Sequence, residues 1–382
     1  MSTDARKPGG EKSSRPPNPR FATLDDYEQI TRLEASVGMQ TRSADDWRAM
    51  WLKNPLWPRV GKDWPIGWIL EDTTERVVGS VMSVPSLYQF RGRELMCAIG
   101  RSWVMAPEYR GYGLWIMSEY LSFEKADLFM HNTVGEMAIG VMDELSSRVP
   151  LGDWETIAYW VTEYHAFAKT ALTKYGAPSA LAGALAYPAA AAMRLKDALS
   201  VKSLPLAPGS ITIETIEQFD ARFDAFWQEL VRENPDKLLA ARDSETLRWH
   251  YMLPMRNGRL RIYTATRSGL LRAYCILKRH ELPGNLSRMR LIDFQSLDRD
   301  EDLLAGLLEA ARRRCVAEGI GMLEHQGCGL PKMRTLDQHA PYRRKLGNWP
   351  YFFTVPDPAL KAELSKPEIW DPSAFDGDVS LE

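Results

Sequence analysis

The segment VMAPEYRGYGLWIMSEYL, residues 104–121, gathers residue types suited to holding a phosphate. Arg110, Gly111 and Gly113 stand between a strand-like apolar run and a helix-like one, with Pro107 at the break. Glycine admits backbone with φ above zero and lets a ligand approach closely. Free N–H groups opening a helix, the helix dipole and the Arg110 guanidinium would all attract an anion. The pattern is neither the lysine-bearing nucleotide loop nor the G-x-G-x-x-G dinucleotide fingerprint. It reads as a phosphate cradle between a strand and a helix.

Two further groups of residues invite chemistry. In EHQGC, His325 and Cys328 have a spacing that a metal site could use. Four ligands are the usual requirement and no second Cys/His pair lies nearby, so ordinary burial is expected and no metal is assigned. Asp371, Asp376 and Asp378 cluster in WDPSAFDGDVSL. A calcium loop needs more oxygen ligands at regular spacing, so a solvated tail docked by Trp370 and Phe375 is the expectation.

The chain that must position these groups has 382 residues, too long for one compact core, which predicts two domains. A net charge of −2 gives no electrostatic case for a nucleic-acid partner. The four cysteines lie far apart without a disulfide framework, which fits a reducing cytoplasm. Residues 1–19 are polar and rich in Pro, Gly and Ser, without an apolar stretch, and read as a disordered tail. Residues 175–193 are long and uncharged but mostly Ala. A small-residue helical linker is expected there, with at most peripheral contact with a membrane.

The sequence repeats one outline. A helix (LDDYEQITRLEASVG) precedes three strands in GWILEDTTERVVGSVMSVPSLYQFRGRELMCAIGRSWVM, and then come a helix, a strand, a helix and the aromatic strand WETIAYWVTEY. IEQFDARFDAFWQELV opens the second copy, which ends on WPYFFTV. Apolar and β-branched runs broken by turn signals carry the strand assignment. The resulting division is 20–168, an Ala-rich linker 169–210, 211–356 and a C-terminal tail 357–382.

In this setting VMAPEYRGYGL resembles the CoA-binding motif of the GNAT superfamily of acyl-CoA N-acyltransferases, written Q/R-x-x-G-x-G/A after the fourth strand. The segment 126–161 resembles a branch of tandem two-repeat GNAT-like proteins associated with polysaccharide genes. The resemblance implies an α/β (α+β) fold of two tandem repeats, each a mixed, mostly antiparallel twisted sheet flanked by helices. Carried over residue by residue, Met105 and Ala106 supply strand-edge backbone to pantetheine. Arg110, Gly111, Tyr112, Gly113 and Leu114 form the pyrophosphate loop, while His131, Asn132 and Thr133 end the fifth strand near the thioester. DFQSLDRDEDLLAGLLEAA, at the matching place in the second copy, is acidic and would repel a pyrophosphate, so that repeat is expected to be degenerate.

The implied co-substrate is acetyl-CoA or another acyl-CoA, with an acyl carrier protein as an alternative donor. The implied acceptor is a small-molecule or peptide amine. Acyl transfer needs a neutral nucleophile, a polarised carbonyl and a proton for the leaving thiolate. Ser102 falls near the family's acidic position, and Ile139 near its tyrosine. By proximity His131 and Glu136 become the catalytic candidates. Their plainer readings are a strand-end histidine bonded to backbone and a carboxylate at a helix N-terminus.

Overall fold

The computed structural model describes residues 16–200, 204–207, 209–282, 286–297, 301–346, 350–378 and 380–381. Most of the expected N-terminal tail lies outside the described residues, although Asn18 and Pro19 already belong to a strand. The chain divides into two compact units, Met1–Pro85 with Ala98–Ala126, and Ser86–Cys97 with Asp127–Glu382.

In the first unit, β1 (Asn18–Phe21), β2 (Gly67–Glu71), β3 (Val77–Phe90) and β4 (Arg93–Met105) are neighbours in chain order. β1 and β2 pair antiparallel through Arg20 and Ile69, and β2 pairs β3 through Trp68 and Val81. β3 and β4 are long enough that both run on into the second unit. Residues 77–85 of β3 are buried without alternation, as expected of a strand covered on both faces. The Trp-rich stretch is core: Trp47, Trp51, Trp64 and Trp68 are all buried. A buried indole usually finds an acceptor for its N–H. Ser83 serves two of them, its carbonyl accepting from Trp51 at 2.7 Å and its hydroxyl from Trp64 at 3.1 Å. The helix Ala44–Leu52 starts where the Ser43 hydroxyl accepts from the Asp46 amide.

Among its described residues the second unit contains the ends of β3 and β4 and eleven further strands. These are β5 (Leu128–His131), β6 (Ser147–Arg148), β7 (Thr156–Val161), β8 (Thr212–Ile216), β9 (Leu239–Ala240) and β10 (Leu260–Arg267). They continue with β11 (Leu270–Leu282), β12 (Leu286–Ser296), β13 (Met322–Gln326), β14 (Tyr342–Lys345) and β15 (Phe352–Thr354). One sheet continues β4-β5-β15-β6, and β9 pairs β3. The other runs β14-β7-β13-β12-β11-β10-β8, antiparallel except for the β12/β13 pair. Helices Arg222–Glu233 and Glu301–Ala317 pack on it, the first burying Phe223 and Phe226 against Tyr274.

The fold class is the one expected, two mixed and mostly antiparallel sheets with flanking helices, but the closing strands differ from the outline. The aromatic strand β7, from the first half of the sequence, lies between β13 and β14. β15, from the second half, lies between β5 and β6. The halves exchange strands rather than each closing its own sheet.

The Ala-rich stretch forms the helix Ser179–Ser200, packed on the helix Tyr164–Lys174. Ala182, Ala186 and Ala190 are buried, while Leu181, Leu185 and Tyr187 are exposed. No described helix is long and apolar enough to cross a membrane.

Candidate functional site

The first unit holds the loop. β4 ends at Met105, and the chain passes through a 3-10 turn, Pro107–Tyr112, directly into the helix Gly113–Leu121. Pro107 begins the turn, where its missing N–H costs nothing. Arg110 and Gly111 are exposed, Leu114 is 47% exposed and Tyr112 is half-buried. Arg110 has no ion-pair partner among the described residues, so its charge faces solvent. A Cβ on Gly111 would meet nothing within 4 Å, which leaves the open approach expected of it.

The backbone reason given for the glycines is corrected. Neither Gly111 nor Gly113 has φ above zero, and Gly113 is helical at φ −59°. The row of amides is also less free than the sequence suggests. Tyr109 N–H donates to the Ala106 carbonyl at 2.9 Å and Gly113 N–H to Arg110. Ala106 N–H is taken by Val78 at 2.8 Å. Glu108 accepts from its own amide at the head of the turn and from Arg76 at 2.9 Å, and both contacts hold its carboxyl below the usual range.

Upstream of the loop β4 is distorted. Ser102 has φ +53° in the strand interior, backbone that a non-glycine residue enters only in special settings such as bulges. Its hydroxyl is buried without a hydrogen-bond partner among the described residues. The indole N–H of Trp103 is likewise unpartnered, and its ring would lie 3.7 Å from a Cβ on Gly113. Met105 fills the space left by Gly79, where a Cβ would meet its sulfur at 2.6 Å.

The second unit holds His131, Asn132 and Glu136. His131 ends β5 opposite Phe352 of β15 and is 7% exposed, and burial pushes its pKa down to about 4. Glu136 opens a 3-10 turn and is exposed. Asn132 is committed to the C-terminal segment: its side chain donates to the Asp376 carbonyl at 3.4 Å and accepts from the Asp378 amide at 3.2 Å. Thr133 donates to the Asp378 carboxylate at 2.8 Å.

The expected solvated tail is therefore a buried strap. Trp370 and Phe375 dock as predicted, but Asp376 and Asp378 are buried with them. Arg242, fully buried, bridges Asp293 at 3.1 Å and Asp376 at 2.9 Å. Ser373 and Tyr274 donate to Asp293 at 2.7 and 2.9 Å, and Tyr351 donates to the Asp376 carbonyl. Burial pushes the Asp376 carboxyl up while Arg242 pulls it back. His250 meets the Ser380 hydroxyl at 2.6 Å. The sequence carries one trace of this network, the acid Asp293 inside the apolar run LIDF.

Also in the second unit, His325 and Cys328 lie together, and the structure adds Asp337 to them. A cavity of about 570 Å³ lies elsewhere, along β8 and β10, lined by Ile216, Arg261, Tyr263 and Arg314 among others; none of the expected site residues lines it.

No known family matches the chain by sequence, and no curated protein does. Solved structures do share its fold. A GCN5-related N-acetyltransferase from Anabaena variabilis superposes with a TM-score of 0.53 at 11% identity, covering 89% of this chain and 72% of that one. A probable N-acyltransferase from Enterococcus faecalis gives 0.54 at 13% identity, with 89% and 72% covered. Saccharomyces cerevisiae N-myristoyltransferase with bound myristoyl-CoA gives 0.52 at 11% identity, with 92% and 81% covered. At these identities the likeness establishes the fold, that of the GCN5-related N-acetyltransferases.

Proposed function

We propose that the chain is an acyl-CoA-dependent N-acyltransferase. The observation that carries the reading is the exposed turn Pro107–Tyr112, with its unpaired Arg110, placed between β4 and a helix in a fold that solved acyltransferases share. In this reading Arg110 and the backbone of Gly111 to Leu114 receive the pyrophosphate, and Met105 and Ala106 flank the pantetheine. The reaction joins the acceptor nitrogen to the thioester carbonyl, breaks the C–S bond, and returns the amine's proton to the departing thiolate as CoA-SH.

His131 and Glu136 are the proposed proton-handling residues. With its pKa near 4, His131 is neutral at physiological pH, as a base must be, but it is a weak base. Positioning would then supply much of the acceleration. The acceptor is an amine of an amino sugar, amino acid or peptide. The tandem organisation, its division at 169–210 and the degenerate character of the second repeat belong to the same proposal.

A second reading, a non-catalytic acyl-CoA-binding protein, is favoured by one observation. Ser102 and Ile139 occupy the places where the family carries an acid and a tyrosine, and Glu136 is turned to solvent. Incubation with acetyl-, medium- and long-chain acyl-CoA and a panel of amines, with release of free thiol as readout, decides between the two. Amine-dependent release supports the enzyme, binding without release supports the second reading, and no CoA binding overturns both. Long-chain preference, or turnover only with acyl carrier protein, would identify the donor.

A further inference from the structure

His325 is fully buried on β13, between Leu291 of β12 and Ala158 of β7, and neither ring nitrogen makes a hydrogen bond of normal geometry among the described residues. A buried polar group without a partner is costly, and each such group calls for a physical reason. After Gln326 the chain turns sharply on Gly327 (φ +87°) and Gly329 (φ +85°), left-handed backbone that glycine tolerates best. The turn brings Cys328, 3% exposed, back toward the imidazole.

Asp337 comes from the helix Arg334–His339. One carboxylate oxygen accepts from the Gly329 amide at 2.7 Å, which fixes the side chain, and the Cys328 thiol hydrogen-bonds the carboxylate, while Oδ1 is buried with no partner of normal geometry among the described residues. Nitrogen, sulfur and carboxylate oxygen all lie within 4.8 Å of one another. The His325 Nε2 to Asp337 Oδ1 separation is 3.6 Å, beyond hydrogen-bonding range. Two ligand bonds of about 2.0 Å at a tetrahedral angle place their atoms about 3.3 Å apart, close to that separation.

The geometry points to a site for one divalent transition cation of the zinc type, held by His325 Nε2, the Cys328 thiolate and Asp337 Oδ1. A mixed set of one imidazole, one thiolate and one carboxylate suits zinc or cobalt better than calcium or magnesium, which take oxygen donors. On binding, the Cys328 thiol releases its proton to solvent and its sulfur bonds the metal. Thiolate and carboxylate then balance the cation's two charges. Arg343, bonded to the Asp337 carbonyl, is a cationic neighbour that the two anions must outweigh. The Asp337 side chain is 14% exposed as a whole, while Oδ1, the oxygen that would face the metal, is buried. The metal would fasten the turn after β13 to the helix that follows it. Nothing in this depends on CoA binding or acyl transfer.

Cobalt titration of the full chain, after removal of metal with a chelator, tests the site. The expected result is saturation at one Co²⁺ per chain, with a thiolate-to-cobalt charge-transfer band and tetrahedral ligand-field bands, both abolished when Zn²⁺ is added. Cys328→Ser should remove the charge-transfer band, and Asp337→Asn should weaken affinity about tenfold or more. Should Cys328→Ser fail to fold, His325→Gln gives the same comparison through the ligand-field bands. Absence of saturable uptake by the wild-type chain, or a Cys328→Ser spectrum identical to wild type, overturns the assignment.

Discussion

Arg242 and Asp376 form a fully buried ion pair, guanidinium to carboxylate at 2.9 Å, between residues 134 positions apart in the chain. Arg242 also serves Asp293, so one cation neutralises two buried carboxylates. Removing one member of such a cluster strands the remaining charge. Arg242→Met should therefore destabilise the protein by about 3–5 kcal/mol, read as a lower urea midpoint at unchanged slope. Adding Asp293→Asn and Asp376→Asn to that variant should recover part of the loss, because no unpaired charge then remains inside. A single-variant loss below about 1 kcal/mol would mean that the cluster is hydrated in solution.

Gly377 sits against Asn132, where an added Cβ would fall 2.0 Å from the amide nitrogen. Neither side has room to yield, since Asn132 is 3% exposed and bonded to the backbone on both sides of the glycine. Gly377→Ala should cost about 1–3 kcal/mol by overpacking. Asn132→Ala in the same chain should restore part of it, and a thermal-denaturation double-mutant cycle measures the coupling. Additive effects would show that the strap is not held at this point.

What could be read from the sequence follows the range of the interactions. The loop at residues 107–112 and its following helix are local features, set by a proline, two glycines and the apolar spacing of Ile116, Met117 and Tyr120, and they fall where expected. The exchange of β7 and β15 is not legible in the sequence, because either aromatic strand suits either sheet locally. Asp337 was missed for the same reason: its carboxylate reaches Cys328 only through the turn at Gly327 and Gly329. Asp376 looked like tail because acids in a run of small residues usually are, and its cation stands far back in the sequence.

Buried histidines, His131 and His280 among them, give the fold an acid limit. Burial lowers the pKa of His131 to about 4 and, joined by the cations Lys278, Arg290 and Arg288, that of His280 to about 3, both from an ordinary 6.5. In each case the unfolded chain takes up the proton first. Stability is thus unaffected above pH 6.5 and falls as the pH drops from there toward 4, by about 3 kcal/mol for His131 alone. Urea midpoints across that range should fall with pH, and His131→Gln should flatten the slope by nearly one proton. An unchanged slope in the variant would show that His131 is already solvated in the folded state.

Arg110 and Glu108 provide opposed tests of the loop. Arg110 faces solvent without an ion-pair partner among the described residues, whereas Glu108 sits at the head of the turn and is paired with Arg76. If a pyrophosphate binds at residues 110–114, Arg110→Ala removes a charge-assisted contact and should weaken CoA binding about tenfold by calorimetry. Glu108→Gln removes a negative charge from the same turn and leaves Arg76 paired with Asp72 alone, so it should tighten binding, with the gain shrinking as salt screens it. Dephospho-CoA keeps the pyrophosphate and lacks only the 3′-phosphate, so a loss in Arg110→Ala that persists with it locates the contact at the pyrophosphate. Wild-type affinity in both variants would remove the loop from the binding site, whatever the protein does with acyl groups. Weakening by both would instead mean that Glu108 holds the turn in shape, and that its pairing with Arg76 matters more than its charge.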